Sequence, residues 1–144
     1  GMIGDIVIAD PSASGGGGAS RVQEAETTSS ISNGASGDVV YSTLGKSFAL
    51  QKITVDKQCW VRIYSDTASR TADAGRTQGT DPADGSGVIA EIISTSSGTQ
   101  VFKMTPAIIG WLDNSETEVP VAIKNNSGST GTVTVTIDAL KLES

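Results

Sequence analysis

Histidine is absent from this 144-residue chain. Its absence removes the base of any Ser-His-Asp or Cys-His arrangement and the imidazole ligands that commonly hold zinc. There is one cysteine, Cys59, so no disulfide forms within the chain and the fold is held without staples. Set between Gln58 and Trp60 at the start of an apolar run, that thiol reads as a small buried hydrophobe. Aromatics make up only 4% of the residues against 37% for hydrophobics as a whole, which leaves Val, Ile and Leu to build the core. Basic residues number 10 against 16 acidic ones, a formal net charge of -6, and none of them cluster. A phosphate backbone needs clustered Lys and Arg to neutralise it, so nucleic acid is excluded as a partner and anionic membranes are disfavoured. No run approaches the roughly 20 apolar residues of a membrane helix, and no charged segment followed by an apolar one opens the chain. Gly1 ahead of Met2 reads as a remnant of tag removal, which predicts a native start at Met2.

What is present points to β-structure. The length fits one domain, and the 17 glycines together with the β-branched residues favour short strands joined by many tight turns. Ile3 to Ile8 is a short apolar run able to add one strand to something. From Ala9 to Gly37 the only large apolar residues are Val22 and Ile31, set among Ser, Thr, Ala and the run Gly15 to Gly18. That is linker chemistry, and residues 1–37 are expected to form an extended N-terminal arm that lies against its own domain or a neighbouring chain. Ser20 and Gln23 fit a capping box, but no apolar stripe of helical period follows them.

Residues 38–144 read as the β-sandwich domain. The expected strands are Val39 to Leu44, Phe48 to Val55, Cys59 to Ser65, Val88 to Ile93, Gln100 to Thr105, Ile108 to Leu112, Val119 to Asn125 and Thr132 to Leu142. In the second, Phe48 and Leu50 share one parity and Ile53 and Val55 the other, which predicts a bulge near Gln51 and Lys52. In the third, Cys59, Val61 and Ile63 alternate with Trp60, Arg62 and Tyr64. Pro120 predicts an edge strand or a bulge. Strands of this number and length make an all-β, two-sheet antiparallel sandwich of the jelly-roll class.

Function is harder to place. The insertion from Asp66 to Gly87 has Asp66 as a helix cap and Arg70 three residues before Asp73, which suggests one or two helical turns with an internal ion pair. Its turn-rich second half offers oxygens at Thr80, Asp81, Asp84 and Ser86. These make Asp81 and Asp84 candidate Ca²⁺ ligands, although the spacing is not that of an EF-hand and Asp beside Pro or Gly is ordinary turn chemistry. No other cofactor is expected. Among Asp66, Asp73, Asp81, Asp84, Glu91 and Glu116 no pair is marked out for glycoside hydrolysis, and no Gly-Lys-Ser/Thr phosphate loop occurs. The reading is non-enzymatic. For a bound sugar the candidate contacts are Trp60, Arg62 and Tyr64, on one face of a strand, and Trp111, in the turn-like Gly110 to Asn114 segment. An aromatic ring takes the apolar face of a sugar while polar groups bond its hydroxyls. The competing reading covers the Trp60 face with the arm or the long insertion and pairs Arg62 with Asp66 or Glu91; Trp111 is the better candidate.

Several stretches together resemble a module found in bacteriophage virion proteins. They are Trp60-Val-Arg-Ile-Tyr-Ser, Ala68 to Asp73, Arg76, the Thr80-Asp-Pro turn, Gly87-Val-Ile, Thr105-Pro-Ala, and Asn125-Asn-Ser-Gly followed by alternating Thr and Val. The similarity covers about Val55 to Ile137. Such tail-fibre and baseplate modules resemble galactose-binding-domain-like jelly rolls. The resemblance implies a structural or adhesion role in a virion, with homo-oligomers or other virion proteins as partners and host-surface glycans as ligands. The alternative is a stand-alone carbohydrate-binding module of a bacterial cell-surface or secreted protein.

Overall fold

The computed structural model describes residues 19–113 and 115–144. The Ile3 to Ile8 run and the Gly15 to Gly18 run lie outside the described residues. Eight strands and one short helix follow in the order β1 (Ser20–Thr27), β2 (Ser36–Tyr41), β3 (Ser47–Val55), β4 (Cys59–Tyr64), α1 (Thr67–Ala72), β5 (Val88–Ile93), β6 (Gln100–Trp111), β7 (Val119–Asn125) and β8 (Thr134–Glu143). They form two four-stranded sheets, one ordered β1-β8-β3-β6 and the other β2-β7-β4-β5. Every pairing is antiparallel. This is the expected two-sheet sandwich. Its core is aliphatic, with Leu50, Ile53, Val55, Val61, Ile63, Val121, Ile123, Val133, Val135 and Ile137 all at 0% exposure.

The predicted irregularity in β3 is present. Both pairings of β3 shift register between Leu50 and Lys52, so Phe48 and Leu50 on one side of the shift and Ile53 and Val55 on the other all face the core. One extra residue reverses the parity, which is how a strand with two apolar phases stays in one sheet. The segments read as separate strands at Gln100 to Thr105 and Ile108 to Leu112 are a single strand, β6, with a cis peptide between Thr105 and Pro106. Pro120 sits in β7, which is central rather than an edge. It lies one residue past the last β4 partner, Val121, and is paired only with Val40 of β2. At that position β7 has one neighbour, which is where a residue without an N–H is tolerated.

The main difference from the sequence reading concerns Ser20–Thr27. Placed above in the polar arm, it is strand β1 and runs along β8 in unbroken register from Ser20↔Lys141 to Thr27↔Thr134. Beyond it, Ile31 bridges to Gly131. β1 is an edge strand, and edge strands are commonly polar because a long apolar edge invites pairing with other chains. Of its inward positions only Val22 packs on the core. Glu24 instead accepts from the amides of Ser42 at 3.2 Å and Thr43 at 3.0 Å and from the Thr43 hydroxyl at 2.7 Å, closing the β2–β3 turn.

The hydrogen bond from Glu26 to Glu24 raises the Glu26 carboxyl to about 7, with burial adding to the effect. For Glu24, burial by itself raises the carboxyl, but the bonds from Glu26, Thr43 and Ser42 bring it below its ordinary value. A carboxyl raised in the folded state binds its proton more tightly there than in the unfolded chain. Its contribution is therefore complete below the unfolded value of 4.5 and is lost as pH rises through about 7. Glu26→Gln keeps a donor toward Glu24 at every pH. Thermal melts from pH 5 to pH 8 are expected to show the variant gaining on the wild type as pH rises, and a constant difference would contradict this assignment.

Candidate functional site

β4 is buried along its whole length. Cys59, Val61 and Ile63 face the core, while Trp60, Arg62 and Tyr64 are 2%, 2% and 0% exposed on the other face. The insertion after β4 covers that face. Asp66 caps α1 by accepting from the Ser69 amide at 2.6 Å. At the other end of the helix, Asp73 accepts from Tyr64 Oη at 2.7 Å and from Arg76 Nε at 2.9 Å. Arg76 Nη1 reaches Glu91 at 3.2 Å and the Thr80 carbonyl at 2.6 Å, and Trp60 Nε1 donates to Glu91 at 2.8 Å. The Arg62 guanidinium stacks 3.9 Å from the Trp60 ring centre, and that of Arg76 lies 5.2 Å from it. Burial by itself raises the Asp73 carboxyl, but the bonds from Arg76 and Tyr64 hold it below its usual value.

These contacts revise the sequence reading residue by residue. Trp60, Arg62 and Tyr64 share a face, as the alternation predicts, and the insertion covers it, as the competing reading had it. Arg62 does not pair with Asp66 or Glu91; its Nη2 donates to Ser36 Oγ at 3.0 Å. The helix is where Asp66 announced it, yet the partner of Asp73 is Arg76 and not Arg70. Arg70 turns to the sheet and donates to the carbonyls of Val39 at 3.0 Å and Val121 at 3.4 Å. Asp81 and Asp84 do not converge. Asp81 opens with Glu91 onto one shallow cavity and Asp84 onto another. Thr80 is engaged within its own turn, its hydroxyl donating to the Thr77 carbonyl at 2.6 Å. Among the described residues no three Cys, Asp or Glu side chains gather as a metal site would require.

Trp111 is placed differently. It ends β6 at 58% exposure, two residues after Ile109, also at 58%. Both line a cleft of about 540 Å³ whose far wall is the segment Pro82 to Ile89, with Asp84 and Ser86 on that wall and Ser65 and Asp113 at one end. The strand end is fixed by the Leu112 amide donating to the Lys46 carbonyl at 2.8 Å and the Asp113 amide to the Ser65 carbonyl at 3.1 Å. The opposite wall is fixed by the Ser65 amide donating to the Gly87 carbonyl at 2.9 Å. Gly87 has φ 81°, and a Cβ there would lie 2.2 Å from Ser69 Oγ, so only glycine lets the wall cross α1 this closely. Asp113 shares a hydrogen bond with Asp66 that raises the Asp113 carboxyl. Two carboxylates, hydroxyls and an exposed indole line the cleft, and no Lys or Arg does. Such a lining suits a ligand with an apolar face and several hydroxyls or an amine.

No family model matches the chain, and no curated protein matches it. The chain is similar to a solved chain of the Bacillus endospore appendages, described as a novel family of disulfide-linked pili. That likeness has 11% identity and a TM-score of 0.44 over 96% of this chain and 100% of the other. At that identity it is a likeness of shape alone. No helix among the described residues is long and apolar enough to cross a membrane.

The sequence singled out Trp111 and, separately, the Asp84 and Ser86 oxygens, but not that they share a cleft. Asp113 and Ser65 carried no signal, because the segments that bring them to the cleft are far apart in the chain.

Proposed function

We propose that the chain is a non-enzymatic structural and adhesion module that binds a neutral or amino-bearing glycan in the Trp111 cleft. The observation that carries this is the exposure of Trp111. Of the aromatics among the described residues it alone is largely exposed, and it stands beside acceptors suited to sugar hydroxyls. The non-enzymatic reading is supported by the absence of histidine and by the roles of the acids. Asp66, Asp73 and Glu91 hold the insertion in place, and Glu116 accepts from the Thr67 amide at 2.8 Å. The resemblance of Val55 to Ile137 to phage modules favours a virion setting of the tail-fibre or baseplate kind. A carbohydrate-binding module on a bacterial surface would use the same cleft.

A glycan array with wild type and Trp111→Ala tests the proposal. Binding is expected to fall at least about tenfold in the variant, since central aromatic contacts are worth about 2 kcal/mol or more. Stability should change by no more than about 0.5 kcal/mol, as for an ordinary surface substitution. Absence of binding to every glycan would sink the idea.

A second reading, assembly through open strand edges, is favoured by β6. It spans Gln100–Trp111 at a sheet edge and exposes Val101 at 48% in addition to Ile109 and Trp111. Sedimentation of the whole chain and of Val101→Lys checks it. An oligomer weakened by the substitution is expected, and a strict monomer would count against it.

A further inference from the structure

A second pocket lies on the outer face of the β2-β7-β4-β5 sheet, where α1 crosses it. It holds about 210 Å³ and is lined by Ser36, Asp38, Arg62 and Arg70 among others. Arg62 is 2% exposed, and among the described residues no carboxylate lies within ion-pair distance of it. Its Nη2 donates to Ser36, and the buried Nε has no acceptor. Asp73, the carboxylate that acts on it from a distance, is already bonded to Arg76 and Tyr64. Arg70 is clamped by Nη1 to the Val39 and Val121 carbonyls, and its Nε faces Asp38 at 3.6 Å, too long for a hydrogen bond. The Asp38 side chain is 61% exposed, so it screens the two guanidinium groups weakly.

A buried guanidinium lacking a counter-anion is unfavourable, and the planar guanidinium fork is the side chain best matched to carboxylate, sulfate or phosphate oxygens. We propose that this pocket binds a small oxyanion between Arg62 and Arg70, with Ser36 as a further contact and Asp38 turning to solvent as the anion takes its place. The ligand is a single carboxylate or a tetrahedral anion, free or carried on a larger molecule. This site is separate from the Trp111 cleft, whose lining includes no cation.

Arginine Nε–H resonances of the intact ¹⁵N-labelled chain, titrated with sodium acetate or sodium sulfate at an ionic strength held with sodium chloride, test this. The Arg62 and Arg70 resonances are expected to move together and saturate. Saturation in acetate assigns a carboxylate, and saturation in sulfate a tetrahedral anion. Arg70→Gln, which removes one of the two guanidinium groups, should weaken the binding by about tenfold or more with the rest of the spectrum preserved. Asp38→Asn, which removes the competing carboxylate, should strengthen it. Shifts that stay linear in both salts, or a saturation unchanged in Arg70→Gln, would overturn the proposal.

Discussion

Trp60→Ala is expected to lower the unfolding free energy by about 3–5 kcal/mol, the range for removing a large aromatic from a packed interior. The indole is 2% exposed and forms the floor on which the insertion rests. Arg62 and Arg76 stack on it and Glu91 accepts from it. Truncation leaves a cavity, frees one oxygen of Glu91 and takes the support from two guanidinium groups. The cavity accounts for most of the loss, and the unpaired polar groups add to it. Trp60→Phe retains most of the ring and loses the Nε1 bond, so it should fall between wild type and alanine. Urea titration gives both values, and a loss below about 1 kcal/mol for Trp60→Ala would show that the insertion does not depend on this ring. Limited proteolysis supplies a second readout, with cleavage appearing between Ala74 and Gly87 before the sandwich unfolds.

Gly45→Ala is expected to destabilise by about 2–3 kcal/mol, combining left-handed backbone strain with overpacking. Gly45 has φ 84°, and a Cβ at that position would lie 2.1 Å from the Glu143 carbonyl oxygen. The obstacle is backbone, and it is held there by the Lys46 amide donating to the same oxygen at 2.7 Å. The clash is relieved only by moving the end of β8 away from β3. Gly34→Ala is the control. It also has positive φ, at 87°, but nothing lies within 4 Å of its added Cβ, so it isolates the conformational part of the effect. Equal losses for the two variants, measured by thermal denaturation, would contradict the packing argument.

Legibility in the sequence followed local information. The reversal of parity across Phe48, Leu50, Ile53 and Val55 disclosed the β3 bulge because each apolar side chain has only one core to face. The alternation in β4 was equally plain, but it could not decide between an open outer face and one covered by the arm or the insertion. That depends on Asp73, Arg76 and Glu91 meeting across the insertion, and no spacing encodes it. β1 was hidden because its inward positions include Glu24 and Glu26, which serve the rim rather than the core. Trp111 stood out as an aromatic in polar, turn-like surroundings. Its cleft did not, since Asp84 and Ser86 arrive from a distant turn.

The two tryptophans are placed oppositely, Trp60 buried beneath the insertion and Trp111 exposed in the cleft proposed to take a ligand. Their indole N–H resonances report the two places separately in one spectrum of the intact chain. On titration with neutral and amino-sugar oligosaccharides, the Trp111 signal should shift and saturate while the Trp60 signal stays fixed on Glu91. A Trp111 signal unmoved by every sugar, or a Trp60 signal that moves in its place, would contradict the proposed recognition site.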